Sequence, residues 1–224
     1  MPHNSTCMNI KQNLESIQER IVRACESVNR NPEEITLIAV SKKQPIEKIQ
    51  EIYDLGIKNF GENRLQEAIG KIESLPKDIT WHYVGRLQTN KIKKIVKLFN
   101  FIHSVDSKKQ LLEIEKHNEV VKIFIELNLL KQPQKSGISP EELDEFVRFA
   151  AQFNCIEPIG LMAMGPLDQN MENIRPYFKQ LNELLRRTRV GNCLSMGMSN
   201  DFEVAIQEGA THIRVGSAIF GPRT

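Results

Sequence analysis

The chain has 224 residues, 40% hydrophobic and 26% charged, which is ordinary for a globular protein and enough for one large core. With 30 Lys and Arg against 28 Asp and Glu, its net charge of +2 gives no electrostatic mandate for nucleic acid or an anionic membrane. No stretch approaches the roughly 18 apolar residues of a transmembrane helix, and Met1 to Met8 is polar with no apolar signal-peptide run behind it. Cys7, Cys25, Cys155 and Cys193 form no CxxC pair, so reduced thiols in a cytoplasmic protein are expected.

From about Asn9 to Asn29, Ile10, Leu14, Ile17, Ile21, Val22 and Val28 recur near helical spacing, predicting an amphipathic leading helix that Asn31-Pro32 stops. Ile35 to Val40 then reads as a strand and Ile46 to Leu55 as a helix ending on Gly56. The alternation continues through strands at Lys58–Phe60, Thr80–Val84, Phe101–Ser104, Val121–Leu127, Ile156–Leu161, Cys193–Met196 and His212–Val215. Between them lie helices at Arg64–Glu73, Lys91–Leu98, Lys108–His117, Pro140–Gln152, Met171–Arg187 and Asp201–Glu208. Eight strands alternating with helices predict a parallel (β/α)8 TIM-type barrel spanning about residues 35–221, with the leading helix outside it. An open doubly wound sheet is the alternative, disfavoured because no Gly-rich dinucleotide turn follows the first strand. No Pro-, Gly- or Ser-rich linker divides the chain, so residues 1–224 read as one domain.

Function in such a barrel belongs to the loops after the strands. Lys42 follows Leu37-Ile38-Ala39-Val40 at once. An amine at a low-dielectric mouth has reason to lose its proton and become the nucleophile of imine formation. Position alone favours a structural lysine, and Lys43 should face away from Lys42 by strand alternation. Gly197-Met198-Ser199-Asn200 precedes the predicted helix at Asp201, with Ser199 or Asn200 as N-cap and Asn200 with Glu203 as a capping box. The last strand runs into Gly216-Ser217. These are the loops after strands seven and eight, the usual phosphate position of the fold. A phosphorylated carbonyl compound bound as an imine suits them.

Arg214 should share the inward face of Gly216, where a guanidinium would keep a pyridine nitrogen unprotonated; a buried pair with Glu126 or Asp106 is the other reading. Asn63 suits a phenolic oxygen or the cap of the next helix. The five histidines (His3, His82, His103, His117, His212) show no ligand spacing, so no metal is expected. His82 and His212 read as buried strand residues satisfied by neighbours. Lys91, Lys93, Lys94 and Lys97 read as a solvated helix face.

Taken in order, several segments resemble one family: Ala39-Val40-Ser41-Lys42, Phe60-Gly61-Glu62-Asn63, Trp81-His82-Tyr83-Val84-Gly85, Leu87-Gln88-Thr89-Asn90-Lys91 and Lys135-Ser136-Gly137. Gly160-Leu161-Met162, Leu194-Ser195-Met196-Gly197-Met198-Ser199, Arg214-Val215-Gly216 and Ile219-Phe220-Gly221 complete the set. The match, from about Ile35 to Arg223, is to the pyridoxal-phosphate homeostasis proteins, also called the alanine racemase N-terminal-domain-like or proline synthase co-transcribed family. The resemblance implies a barrel like the N-terminal domain of alanine racemase and pyridoxal 5′-phosphate held as an internal aldimine on Lys42. It also implies Asn63 at the cofactor, Arg214 at the pyridine nitrogen, and Ser199, Gly216 and Ser217 at the phosphate, Ser217 standing where many members have Thr. The sequence ends at Gly221-Pro222-Arg223-Thr224 without the lysine-containing tail of some members, so a role for such a tail in cofactor transfer is not expected.

Three functions compete: a non-catalytic cofactor carrier that supplies apo-enzymes, a racemase-like enzyme acting on amino acids, and a Schiff-base aldolase. Racemisation needs an acid/base group on each face of the substrate carbon, and Tyr53, Tyr83 and Tyr177 have no obvious claim to the second. Aldolases of this fold usually take their lysine from a later strand, with acidic partners that Asp106 poorly replaces. The carrier reading leads, with a monomer expected.

Overall fold

The computed structural model describes residues 9–130, 134–166, 168 and 170–221. The first helix, α1 (Ile10–Glu26), buries Leu14, Ile17, Ile21, Ala24 and Cys25 along one stripe. A capping box starts it: Asn9 Oδ1 accepts from the Lys11 amide at 2.8 Å and Gln12 Oε1 from the Asn9 amide at 3.2 Å. It is shorter than the predicted 9–29 because the chain turns out of the helix at Asn29, whose φ is +54°.

The eight strands are β1 (Thr36–Val40), β2 (Asn59–Glu62), β3 (Thr80–Tyr83), β4 (Phe101–Val105), β5 (Val121–Leu127), β6 (Ile156–Ala163), β7 (Cys193–Ser195) and β8 (His212–Val215). They pair in parallel in chain order, and β8 closes on β1 through Thr36 with His212 to Ala39 with Val215. The helices between them are α2 (Ile46–Asp54), α3 (Leu65–Ser74), α4 (Ile92–Leu98), α5 (Lys108–Glu115), α6 (Leu143–Ala150), α7 (Arg175–Thr188) and α8 (Phe202–Gln207). The closed barrel, its outer helices and the leading helix are as the alternation predicts.

Boundaries differ where local chemistry intervenes. The predicted 171–187 helix is a 3-10 turn at Met171–Asn173 followed by α7, because Pro176 supplies no amide and so belongs at a helix start. An unpredicted single turn, α9 (Ser217–Phe220), follows β8. Asn13 Nδ2 of α1 donates to Ile219 O at 2.9 Å, Arg20 pairs with Glu203 of α8 at 2.8 Å, and Arg30 donates to Ile206 O and Ala210 O. The leading helix and the turn after it are thereby fastened to α8 and α9.

The apolar core lies between strands and helices, with Leu37, Ala39, Phe60, Trp81, Ile102, Ile123 and Ile213 facing outward into it. Inside the barrel the side chains are less usual. His82 stacks on Phe101 at 4.6 Å between ring centroids, His103 on Phe124 at 4.3 Å, and His212 stands edge-on to Phe124 at 5.1 Å. No helix among the described residues is long and apolar enough to cross a membrane, and Cys25, Cys155 and Cys193 are free thiols. Cys7, His3 and Pro222 to Thr224 lie outside the described residues.

Candidate functional site

At the C-terminal end of β1 the backbone still pairs: the Ser41 amide donates to Gly61 O at 2.9 Å. Ser41 is fully buried and its hydroxyl donates to Glu62 Oε1 at 2.7 Å. Lys71 of α3 reaches the same carboxylate at 2.6 Å and the Ser41 carbonyl at 2.8 Å, and also pairs with Glu67 at 2.6 Å. Lys43 is exposed, has a φ of +62°, and donates its amide to Glu67. Lys42 is thus held between two anchored neighbours. It turns from the outer layer that Ser41 occupies and lines a cavity of about 580 Å³ at the barrel mouth. Of the lysine pair, only Lys42 reaches it.

Ser199, Arg214, Gly216 and Ser217 line the same cavity. Ser199 Oγ accepts from the amides of Gly216 and Ala218, each at 3.3 Å, and from the Ser217 hydroxyl at 3.1 Å. Three donors converging on one loosely held oxygen form a cradle suited to an anion oxygen. A Cβ on Gly216 would stand 3.3 Å from Val40 O and crowd this spot. The chain reaches it through Gly197, whose φ of +92° and closeness to Ala205 and Phe202 admit no side chain.

The expected cap needs correction. Helix α8 begins at Phe202 with Asp201 before it, and neither Ser199 nor Asn200 caps it. Asp201 Oδ1 instead accepts from the Met198 amide at 2.5 Å, and Glu203 is paired with Arg20, so no Asn200–Glu203 capping box forms. Ser199 serves the amides of the α9 turn. The sequence offers no signal for that turn beyond Gly216 itself.

Arg214 is buried, donating Nη1 to Ser195 Oγ at 2.5 Å and Nη2 to Ala163 O at 3.3 Å. It forms no ion pair among the described residues. Asp106, one of its expected partners, accepts the Gly137 amide at 3.2 Å instead. Burial pulls the guanidinium down to about 10, opposed at longer range by Asp201 and Glu126. Burial pushes the Glu126 carboxyl up to about 7, with Asp106 adding to it and Arg214 and Arg86 opposing. Asn63 is half-buried and is absent from the residues lining the Lys42 cavity; its backbone packs under Gly85, and the α3 cap position falls to Arg64. Glu62, Lys71 and Asp201 carry no signal in the sequence, since their roles depend on which elements meet in space.

A mouth lysine just after the first strand, an oxygen ringed by donors after the last and a buried arginine meet in one cavity at the C-terminal end of a TIM-type barrel. Residues 9–224 match the family described as "Alanine racemase, N-terminal domain". A pyridoxal phosphate homeostasis protein of Aquifex aeolicus is 42% identical over 226 residues, covering 96% of this chain and 99% of that one. A protein of the same name from Pseudomonas aeruginosa is 35% identical, with 96% of each chain covered. The solved structure of PipY from Synechococcus elongatus, with PLP bound, has a TM-score of 0.82 at 35% identity, covering 95% of this chain and all of PipY. Alanine racemase of Clostridium difficile shares the fold, with a TM-score of 0.73 at 14% identity over 96% of this chain and 57% of its own. The chain belongs to the alanine racemase N-terminal-domain family and, within it, to the pyridoxal phosphate homeostasis proteins.

Proposed function

We propose that this barrel binds pyridoxal 5′-phosphate covalently through Lys42 and serves intracellular pyridoxal-phosphate homeostasis, storing and supplying the cofactor. The observation that carries the reading is the single cavity shared by Lys42 and the Ser199–Gly216–Ser217 cradle. The group brings an aldehyde that condenses with an amine and a ring that accepts electrons. Lys42 supplies the amine; Ser199, Gly216 and Ser217 take the phosphate, with the Ala218 amide beside them. Arg214 faces the ring nitrogen, and because a guanidinium keeps its proton, that nitrogen stays unprotonated and the ring's electron-accepting power stays low. Asn63 is assigned to the phenolic oxygen.

The protein is a carrier and not an enzyme. Among the described residues no tyrosine lines the Lys42 cavity: Tyr83 is buried with its hydroxyl donating to Arg86 O at 3.2 Å, and Tyr53 donates to Asp78 at 2.6 Å. A base opposing Lys42 is what the racemase reading requires. We further assign it as a single-domain cytoplasmic monomer that hands cofactor to apo-enzymes, with no part for nucleic acid or membrane.

Loading the purified protein with pyridoxal phosphate and reducing with borohydride should leave the label on the Lys42 peptide by mass spectrometry. A Lys42→Ala protein that kept the yellow colour of the loaded protein would overturn the site. Amino-acid racemase and transaminase assays, run beside transfer to an apo-enzyme, separate carrier from catalyst. Sustained turnover would overturn the carrier reading.

A further inference from the structure

Five polar side chains run through the barrel interior as one unbroken file. Arg214 Nη1 donates to Ser195 Oγ at 2.5 Å, and Ser195 Oγ lies 2.7 Å from His103 Nδ1. His103 Nε2 lies 3.0 Å from His82 Nδ1, and His82 Nε2 lies 3.0 Å from Asn59 Oδ1. Arg214 lines the Lys42 cavity, whereas Asn59 opens β2 at the other end and lines a separate cavity of about 470 Å³. Barrels of this type usually fill that space with branched aliphatic side chains, so the file has a polarity that filling volume does not require.

With the Asn59 carboxamide oxygen toward His82, one arrangement of hydrogens satisfies the file. The Asn59 carbonyl oxygen can only accept, so His82 carries its proton on Nε2 and offers a bare Nδ1. His103 must then donate from Nε2, leaving its own Nδ1 to accept the Ser195 hydroxyl. With its hydrogen committed to His103, Ser195 presents only lone pairs to Arg214. Every donor points from the cofactor end toward Asn59. Both rings must be neutral for this, and burial, the leading cause, holds His82 down to about 3 and His103 well below its ordinary range. The groups around the file do not break it: Phe101 and Phe124 are apolar, His212 is taken by Thr211 Oγ1 at 2.8 Å, and Glu126 and Asp201 act on Arg214 only at longer range.

We propose that Ser195, His103, His82 and Asn59 form a one-way hydrogen-bond file that holds Arg214 in a single orientation toward the ring nitrogen of the bound cofactor. Without it, the guanidinium keeps only the 3.3 Å bond to Ala163 O among the described residues, at the outer limit of a hydrogen bond. Ser195 and His103 are positioning residues for Arg214 and touch no ligand themselves. The inference rests on the pyridoxal-phosphate reading and adds to it how the arginine is kept in place.

Two measurements test it. In the cofactor-free protein, long-range proton–nitrogen spectra should show His82 and His103 neutral and protonated on Nε2. A charged ring or an Nδ1 proton on either would overturn the file. With cofactor labelled at the ring nitrogen, His103→Leu and Ser195→Ala should each move that nitrogen resonance and weaken cofactor retention about tenfold, the effect of losing one hydrogen bond to a charged group. His103→Gln, which can accept and donate in the same sense, should return both toward wild type. Ser195→Ala is the smaller change and decides the matter if His103→Leu does not fold. Folded, loaded variants with the wild-type resonance would overturn the inference and leave the binding reading intact. A wild-type protein that takes up no cofactor would defeat the binding reading, and the proposal about Arg214 and the ring would fall with it.

Discussion

Lys71 and Glu62 form a 2.6 Å ion pair almost sealed from solvent, their side chains 6% and 0% exposed, and the same ammonium grips the carbonyl just before Lys42. Glu62 Oε2 has no hydrogen-bond partner among the described residues, and burial pushes this carboxyl upward in spite of Lys71 and Ser41. Such a pair is costly to break from one side only. Lys71→Met should lower stability by about 3–5 kcal/mol, and adding Glu62→Gln should restore part of it. Urea unfolding of the single and double variants checks this. A single variant within about 1 kcal/mol of wild type, as for a surface pair, would contradict it.

The barrel's neutral histidines make it sensitive to acid. Burial is the main cause in each: His82 lies at about 3, His212 at about 4 and His103 well below its ordinary value of 6.5. Once the pH falls below 6.5 the unfolded chain binds protons that these rings refuse, so stability is lost as pH falls. Glu126, raised from 4.5 to about 7, opposes this, its contribution fading as pH rises between those values. Glu62 and Asp201, whose carboxyls burial also raises, act on the same side as Glu126. The three histidines, each refusing nearly a full proton that the unfolded chain binds, leave a net loss of stability on acidification toward pH 5. Thermal melts across the range should show it. A melting point unchanged from neutrality down to pH 5 would refute the prediction.

The anion cradle can be weakened without touching the fold. Ser199 is half-buried, and its side-chain bonds run to the α9 turn and its first residue, Ser217. Ser199→Ala should leave the melting temperature of the cofactor-free protein near wild type and weaken cofactor retention about tenfold, the effect of one charge-assisted hydrogen bond. Equilibrium dialysis against pyridoxal phosphate reads the change. Equal retention by the two proteins would remove Ser199 from the phosphate site.

At Gly197 the constraint is steric and conformational. Its φ is +92°, and a Cβ would stand 2.7 Å from Ala205 Cβ and 2.9 Å from Phe202 Cα. Gly197→Ala should cost about 2–4 kcal/mol, as strain at a left-handed position adds to overpacking. Denaturant unfolding of the cofactor-free protein measures it, and a loss below about 0.5 kcal/mol, the range of ordinary surface changes, would contradict it.

Much of the site is legible in the sequence because its parts are local. Lys42 follows an apolar run that only a strand explains, alternation separates it from Lys43, and the spacing from Arg214 to Gly216 puts both on one inward face. The parts that escape depend on the register of distant strands. His103 and Ser195 are 92 positions apart and meet through barrel closure alone. Ser199 has the spacing of a cap for helix α8, but its partners lie across the next strand, in a four-residue turn too short to leave a periodic signature. Asn200 and Glu203 have capping-box spacing, which long-range pairing of Glu203 with Arg20 overrides.

Strands β1 and β8 are the first and last of the sheet, and their pairing is where the barrel closes. The proposed ligand grips one side of that seam at Lys42 and the other just past β8, where Asn13 of the leading helix also holds Ile219. A molecule seated there bolts the first strand of the sheet to the last. The Lys42 half of the grip is made early, but the half past β8 exists only once that strand has been synthesised, so the whole site forms late. Once both ends are joined, parting them means giving up the ligand, and occupancy should slow the opening of the seam as well as stabilise the closed ring.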